Sequence, residues 1–279
     1  MIYGIKVVAR YLLGTDVAGR NLMVCPDDTF LVSYPRSGNT WTRFLIANLL
    51  HPDRRVAFSN IDGLFPDLGA VSSRALKRIP RPRFIKSHEY FDPRYPKVIY
   101  LARDPRDVAV SHYNFMRKGG FVDDSCPLER WVSEWFVPGS SYDVPWGDHV
   151  ASWLATRANH SSFLLIRYED LREDPVAELL RIATFLGAPA NPQALAEAVE
   201  KSAVKRMREL EKVDHEQWRT TKGRRTDIPF VGEAATGGWR QKLPRASASL
   251  IESSWGHLMA TLGYETGTAL RANTGAVRG

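Results

Sequence analysis

One segment constrains the fold more than any other: a short apolar run, a polar loop with one glycine, and a helical pattern follow each other directly. Residues 29–34 (TFLVSY) have the length and side chains of a buried strand. The loop PRSGNT follows at residues 35–40, and residues 40–50 continue as a predicted helix. A strand that passes through a tight loop into a helix is the repeating unit of α/β proteins.

Three further apolar runs repeat this pattern, and each is predicted to be a strand: residues 83–87 (RFIKS), 97–102 (KVIYLA) and 163–167 (FLLIR). Helices are predicted to begin after Asp104, Asp174 and Asn191. Each of these side chains can cap a helix, and each is followed by proline, which is favoured at the first helical position.

The sequence therefore predicts one α/β domain over residues 1–279, with a central, mostly parallel sheet flanked by helices, like that of P-loop NTPases. Residues 1–28 are expected to form an N-terminal extension, and residues 265–279 a flexible tail. Residues 219–243 are rich in glycine, threonine and charge, which predicts a long irregular loop with a functional role.

Charge and cysteine content narrow the chemistry. The formal net charge of +7 favours an anionic partner such as a nucleotide, a nucleic acid or an acidic lipid, although a basic solvated surface also fits. Cys25 and Cys126 are the two cysteines, and they form no CxxC pair. Neither a disulfide framework nor a metal site is therefore predicted.

The sequence also bears on the cellular compartment of the protein. None reaches the ~18 residues of a membrane span, and residues 1–13 have no signal-peptide cleavage site. With only two cysteines, the chain fits a reducing compartment, so the cytoplasm is expected. A peripheral membrane contact of residues 1–13 is left open. The oligomeric state cannot be read from the sequence.

The loop after the first strand has the composition of a phosphate site. A helix N-terminus offers free N–H groups and a positive dipole end, and glycine lets the backbone approach an anion closely. An arginine and three polar side chains add donors, so the candidate anion-binding residues are Arg36, Ser37, Gly38, Asn39 and Thr40. The loop is not a Walker A sequence, which requires GxxxxGK[ST].

A second anion site is predicted at the end of the strand at residues 97–102. Arg103 ends this run, and Ser111 follows eight residues later in the predicted helix. At 3.6 residues per turn, Ser111 can return to a ligand that lies near the strand end. An alternative is that Arg103 and Arg106 only form ion pairs with Asp104 and Asp107.

The two segments together resemble the cofactor-binding segments of the cytosolic-type sulfotransferases, which use 3′-phosphoadenosine 5′-phosphosulfate (PAPS). That family has a YPKSGTTW-like loop and a YxxRNPKDxxVS-like segment. Residues 34–41 (YPRSGNTW) and 100–111 (YLARDPRDVAVS) are similar to them. Shorter matches follow the family's order, and the resemblance spans roughly residues 29–262: KSH at 86–88, HVASW at 149–153, RYEDLREDP at 167–175 and TFLG at 184–187.

The resemblance implies transfer of a sulfuryl group from PAPS to a hydroxyl or amine of a small acceptor, without a metal, releasing adenosine 3′,5′-bisphosphate (PAP). It implies that His88 is the catalytic base and that Lys86 and Arg36 stabilise the developing charge. Arg36, Ser37, Gly38, Asn39 and Thr40 would hold the 5′-phosphosulfate. The other implied cofactor residues are Arg103 and Ser111 at the 3′-phosphate, and Trp41, Tyr168 and Ser202 near adenine.

The chain departs from the family where an RKGxxGDWK-like segment closes over the 3′-phosphate. The end of this segment is preserved at residues 237–240 (GGWR), but residues 232–234 are Gly-Glu-Ala. A glutamate beside a phosphate is repulsive. We hypothesise that Arg224 and Arg225, on the same loop, supply the missing charge; weaker binding of the 3′-phosphate is the alternative.

The acceptor cannot be identified from sequence, although a group of aromatic residues suggests an apolar pocket: Phe65, Tyr90, Phe121, Trp131, Trp135, Phe136, Tyr142 and Trp146. Three rival functions stay open. A P-loop kinase or NTPase would need a Walker lysine and a magnesium-binding aspartate, and neither is evident. A nucleic-acid-binding module would need a basic stripe, and none is expected here. A catalytically inactive relative would not need Lys86 and His88.

Overall fold

The computed structural model describes residues 18–139 and 144–267, and a parallel four-stranded sheet lies at its centre. The strand order is β2-β1-β3-β4. In the register, Phe30 is opposite Ile85 and Val98, and Tyr100 is opposite Leu165. The strands are β1 (Thr29–Ser33), β2 (Phe84–Ser87), β3 (Lys97–Ala102) and β4 (Phe163–Arg167). The predicted α/β fold is confirmed, and β1 and β2 are each one residue shorter than predicted.

Both faces of the sheet are buried. Along β1, Phe30 and Val32 belong to one hydrophobic cluster, whereas Leu31 belongs to a second cluster on the opposite face. Tyr100 and Ile99 of β3 are divided between the two clusters in the same way. Alternate side chains of a strand point to opposite faces, so helices must cover both faces, as is typical of parallel sheets.

The helices fill the connections between the strands and the C-terminal part of the chain. A 3₁₀ turn (Gly19–Asn21) precedes β1, and a π-helical turn (Val132–Phe136) continues α5. The α-helices are α1 (Asn39–Leu50), α2 (Ile61–Leu64), α3 (Ser73–Leu76), α4 (Pro105–Lys118), α5 (Leu128–Trp131), α6 (Trp146–Arg157), α7 (Tyr168–Glu173), α8 (Pro175–Leu186), α9 (Pro192–Lys201), α10 (Val204–Asp214), α11 (Trp239–Lys242) and α12 (Arg245–Thr261).

The three predicted helix starts are confirmed, and each has the expected cap. The side chain of Asp104 accepts a hydrogen bond from the N–H of Arg106 at the start of α4. Asp174 and Asn191 cap α8 and α9 by accepting bonds from N–H groups three residues further on. These caps are local in sequence, which is why sequence reasoning located them.

The chain between α10 and α11 contains no regular helix or strand, and every residue in it is described. The predicted irregular loop at residues 219–243 is thus confirmed, except that residues 239–242 form α11. The expectations for residues 1–13, and for most of the tail, lie outside the described residues. Among those described, no helix combines the length and apolar content needed to cross a membrane.

Candidate active site

All four strands end at the same edge of the sheet, because all four are parallel. Each carboxyl end delivers a residue that the sequence had singled out: the loop after β1 brings Arg36, β2 leads to His88, β3 to Arg103 and β4 to Tyr168. All four residues line one cleft of about 2000 Å³. Ligand sites in parallel α/β sheets lie outside the carboxyl ends of the strands, and this volume exceeds what one small ligand needs.

The loop from β1 into α1 has the strained geometry of an anion cradle. Gly38 has φ of +95°, and a Cβ at this position would lie 2.4 Å from the ring of Tyr168. Arg36 also has a positive φ of 67°. The N-cap position of α1 is Gly38, which has no side chain to satisfy the free N–H groups of the first turn. These groups therefore stay available to a ligand at the helix N-terminus.

Two buried polar atoms beside this loop have no hydrogen-bond partner among the described residues: Ser37 Oγ and Asn39 Oδ1. Asn39 Nδ2, in contrast, donates to Leu31 O and to Ser33 Oγ at 3.1 Å. An unsatisfied buried polar group costs stability. The Ser37 hydroxyl can donate to an oxygen of the phosphosulfate that the sequence predicts at this loop, as can the free helix N–H groups, whereas Asn39 Oδ1 is an acceptor and would need a donor.

Arg36 joins the two predicted anion sites. Its Nε donates to Ser111 Oγ at 3.2 Å, and its backbone carbonyl accepts from Arg103 Nη1 at 3.1 Å. Burial, and then the charge of Arg103, lower the pKa of Arg36 to about 10. Arg103 also packs 4.3 Å from the ring centroid of Tyr168, and its Nε has no partner among the described residues. Two repelling guanidinium groups held side by side favour an anion between them.

The alternative prediction, in which Arg103 and Arg106 only form ion pairs with neighbouring aspartates, holds for Arg106 and not for Arg103. Arg106 is paired with Asp104 at 2.7 Å and with Glu252 at 2.6 Å. Arg103 forms no ion pair among the described residues, and it turns to the cleft instead. The arginine that the sequence assigned to the ligand is thus the one without a carboxylate partner.

The residues predicted near adenine lie together at one end of the cleft. Trp41 Nε1 donates to the carbonyl of Ser202 at 3.0 Å, and the Trp41 ring meets Tyr168 edge-on at 6.0 Å. Ser202 is fully buried, and its hydroxyl accepts a bond from Asn48 Nδ2 at 3.0 Å. The Ser202 side chain therefore lies behind Trp41, whereas Trp41 and Tyr168 line the cleft.

His88 is held with one ring nitrogen towards the backbone. Its Nδ1 lies 2.7 Å from the carbonyl oxygen of Ser33, so Nδ1 carries the proton and donates, and Nε2 is left as an acceptor. Burial, and then the charge of Lys86, lower the pKa of His88 to about 3. The imidazole is therefore neutral at physiological pH, which is the state that a base requires.

A second histidine fixes the backbone of the first. His149 Nε2 donates to the carbonyl of His88 at 3.2 Å, and His149 Nδ1 lies 2.9 Å from the hydroxyl of Tyr100. Sequence analysis placed His149 in a family-like segment without assigning it a role. Its contact with residue 88 depends on packing between α6 and β2, which no local pattern reveals.

Lys86 has a partner that sequence reasoning missed. Its Nζ lies 2.6 Å from Asp67 Oδ2, and both side chains are largely buried and line the cleft. Burial opposes ionisation of Asp67, but Lys86 and Arg43 outweigh it and hold the pKa of this carboxyl below its usual range. Asp67 and Lys86 are 19 residues apart in the chain, and no local motif connects them, so the sequence did not reveal this pairing.

The predicted aromatic pocket is real in part. Phe65 and Trp146 are core residues, Tyr90 is exposed outside the cleft, and Tyr142 lies outside the described residues. The remaining four predicted aromatic residues line the cleft: Phe121 and Trp135 are exposed, whereas Trp131 and Phe136 are core residues that border the cleft. This wall gives the cleft an apolar end, which suits an acceptor with an apolar body.

The irregular loop is fastened over the cleft by side chains that bind its backbone. Glu211 accepts from the N–H groups of Phe230 and Val231 at 2.6 and 2.8 Å. Asp107 accepts from the N–H groups of Gly237 and Trp239 at 2.7 and 2.8 Å. A loop without secondary structure needs such partners for its polar backbone. Sequence analysis missed both roles, because each carboxylate lies on a distant helix.

Arg224 and Arg225, which were predicted to supply the positive charge that residues 232–234 lack, lie in different surroundings. Arg225 pairs with Asp124 at 2.7 Å and with Asp227 at 2.6 Å, and it does not line the cleft. Arg224 does line the cleft, where its guanidinium packs 5.0 Å from the ring centroid of Phe115. Glu233 is exposed and pairs with Lys242 at 2.6 Å.

Comparisons with known proteins identify the family of this chain. Residues 26–263 match the profile of the family described as "Sulfotransferase domain". Sulfotransferase 1B1 of Mus musculus is 28% identical over 256 residues, which cover 86% of this chain and 85% of that protein. Sulfotransferase 2A1 of Homo sapiens is 30% identical over 194 residues, which cover 66% of this chain and 67% of that protein.

Solved structures share the fold. Retinol dehydratase in complex with androsterone and inactive cofactor PAP has a TM-score of 0.72 at 22% identity, with 90% of this chain and 85% of that chain covered. Mouse sulfotransferase SULT7A1 complexed with PAP has a TM-score of 0.69 at 24% identity, with 87% of each chain covered. Since the family match includes all four strand ends that face the cleft, this chain belongs to the sulfotransferase domain family and is an enzyme of that class.

Proposed function

We propose that this sulfotransferase moves the sulfuryl group of PAPS to a hydroxyl or amine group of a small acceptor by in-line displacement, with His88 as the general base. The observation that supports this most is the joining of the two anion motifs. Arg103 donates to the carbonyl of Arg36, and Arg36 donates to Ser111, so residues far apart in sequence form one polar site in the cleft that His88 also lines.

The residues of the β1–α1 loop and of β3 fit the donor. PAPS supplies the sulfuryl group and leaves as PAP. The free N–H groups of α1, with Ser37, Asn39 and Thr40, would hold the 5′-phosphosulfate. Arg103 and Ser111 would hold the 3′-phosphate, since a guanidinium and a hydroxyl both donate to phosphate oxygens. Trp41 and Tyr168 offer aromatic surfaces for adenine, with Ser202 behind Trp41.

His88 would take the proton of the acceptor. Its Nδ1 is committed to Ser33 O, so Nε2 is the atom that accepts. A base with a pKa of about 3 is weak, but a bound anionic donor favours the protonated imidazole and raises its pKa. Lys86 and Arg36 would stabilise the negative charge that develops on the sulfuryl oxygens and the leaving phosphate.

The acceptor would bind at the aromatic end of the cleft, on the side of Phe121, Trp131 and Phe136. Androsterone and retinol are bound by retinol dehydratase, a protein of the same fold. An acceptor with an apolar body and one hydroxyl group fits both the wall and the base. We place the enzyme in the cytoplasm, as the sequence predicts, and we assign it no nucleic-acid partner.

The test is calorimetric titration with PAP, AMP and ATP, combined with a His88→Asn variant. Asparagine places an N–H group near the position of His88 Nδ1, so it can still donate to the carbonyl of Ser33. It has no nitrogen that can act as a base. We expect PAP to bind more tightly than AMP or ATP in both proteins, and sulfuryl transfer to fall by about 10²- to 10⁴-fold in the variant. Preference for ATP would overturn the donor, and full activity of the variant would overturn the base.

A further inference from the structure

We infer that Arg208, on α10, binds the 3′-phosphate of the donor and supplies the positive charge that residues 232–234 lack. This inference rests on the proposed function, since it names a further binding residue for the same donor. Residues 232–234 are Gly-Glu-Ala and offer no cation. Arg208 comes from a different element, so the loop sequence could not reveal it.

The first observation is the position of the Arg208 guanidinium. Its Nη2 donates to the carbonyl of Gly232 at 2.7 Å, and its Nε lies 3.4 Å from the carbonyl of Val231. The side chain is exposed and lines the cleft. The positive charge of Arg208 thus lies directly against Gly232, the position at which the family segment has an arginine.

The second observation is that two other guanidinium groups contact the same short segment. Arg36 Nη2 donates to the carbonyl of Phe230 at 3.0 Å, and Arg103 Nη2 donates to the carbonyl of Ala235 at 3.1 Å. Three arginines from three elements therefore converge on residues 230–235. Arg36 and Arg103 already belong to the proposed donor site, so Arg208 extends this site along the segment.

The third observation is that the charge of Arg208 is available. It forms no ion pair among the described residues, whereas its neighbour Arg206 pairs with Glu209 at 3.4 Å. The carboxylate nearest in the loop, Glu233, is itself paired with Lys242 at 2.6 Å. Arg225 is held by two aspartates, so it is a poorer candidate than Arg208.

A phosphate is a better partner for Arg208 than the carbonyls it now contacts. A phosphate carries the opposite charge and can accept two parallel N–H bonds from a guanidinium, whereas a backbone carbonyl is a neutral acceptor. The side chain of Arg208 is long and flexible. Its guanidinium group can therefore keep one hydrogen bond to a carbonyl and donate its other N–H groups to an anion. The lysine and arginine of the family segment are then unnecessary in this chain.

The experiment compares PAP with AMP, which lacks the 3′-phosphate, by calorimetry on the full chain. We expect Arg208→Ala to weaken PAP binding by about 10- to 100-fold and to leave AMP binding within about twofold, since a lost charged hydrogen bond has this effect. Arg206→Ala is the matched control on the same helix and should change neither affinity. Arg224→Ala and Arg225→Ala test the alternative cations.

A rescue separates binding from a merely structural role. A Cβ at Gly232 would meet no atom within 4 Å, so a side chain can start there without a clash. Gly232→Arg in the Arg208→Ala background should restore PAP selectivity. If the unmodified chain does not prefer PAP over AMP, the proposed function fails. If it does, but Arg208→Ala weakens both ligands equally or neither, or if only Arg224→Ala or Arg225→Ala abolishes the preference, the inference about Arg208 is overturned.

Discussion

Replacing Gly38 by alanine should damage both stability and donor binding. Gly38 has φ of +95°, which alanine adopts only with strain. The added Cβ would also lie 2.4 and 2.6 Å from two ring atoms of Tyr168. Because ordinary carbon contacts begin near 3.5 Å, the ring must retreat by roughly 1 Å. That movement disturbs the contact between Tyr168 and the guanidinium of Arg103, which now packs 4.3 Å from the ring centroid.

The expected cost has two parts. The left-handed backbone costs alanine about 1–2 kcal/mol relative to glycine, and overpacking a buried ring costs about 1–3 kcal/mol. Gly38→Ala should therefore lower the free energy of unfolding by about 2–5 kcal/mol. Gly187→Ala is a control for the first part alone, because Gly187 has φ of +70° at the end of α8 and a Cβ there meets nothing within 4 Å.

Urea unfolding of the two variants gives the energies, and PAP titration gives the second readout. We expect Gly187→Ala to lose about 1–2 kcal/mol and to bind PAP normally. We expect Gly38→Ala to lose at least about 1 kcal/mol more and to bind PAP about tenfold more weakly, through the displaced Tyr168. Equal stability of the two variants, with unchanged PAP affinity in both, would refute the argument.

Two further predictions concern pH and the loop. Burial lowers the pKa values of His88, His112 and His149 to about 3, 3 and 4, below the ordinary 6.5. As the pH falls, the unfolded chain therefore binds protons before the folded chain does. The contribution of these histidines to the free energy of unfolding should be constant above pH 6.5 and should fall below it by up to about 1.4 kcal/mol per pH unit for each histidine. A free energy of unfolding that does not change from pH 7 to pH 5 would contradict this. Glu211→Ala removes the acceptor of two loop N–H groups, so amide exchange at Phe230 and Val231 should accelerate and PAP binding should weaken, whereas Glu209→Ala on the same helix should change neither.

Sequence reasoning located what is encoded locally. The strands were found because their apolar runs are buried on both faces, and the helices after Asp104, Asp174 and Asn191 because cap and proline are adjacent in the chain. The loop after β1 was predicted as an anion site for the same reason, since its glycine, arginine and polar residues are consecutive. The order of the strands was not predicted, because it depends on pairing between distant runs.

What the sequence did not reveal is which distant residue completes each local motif. Lys86 and His88 were predicted, but their partners Asp67 and His149 come from other elements. Arg224 and Arg225 are adjacent in sequence and were treated alike, yet only Arg224 lines the cleft. Adjacent residues in an irregular loop point in unrelated directions, so charge counted along such a loop does not locate a binding site.

The arrangement of the arginines is consistent with a proposed donor site beside a segment, residues 230–235, that has no lysine or arginine of its own. Arg36, Arg103 and Arg208 all donate to backbone carbonyls of residues 230–235. Glu211 holds this segment at residues 230 and 231, and Asp107 holds the chain just after it, at residues 237 and 239. The loop therefore contributes acceptors that hold the guanidinium groups in place, and the charge comes from β3, α10 and the loop after β1. Burial, and then repulsion by Arg103, lower the pKa of Arg36, and an anion bound between such cations would relieve the repulsion. In the proposed donor site, selection of a doubly phosphorylated nucleotide would then depend on positive charge that converges from three separate elements, while residues 230–235 contribute only backbone carbonyls.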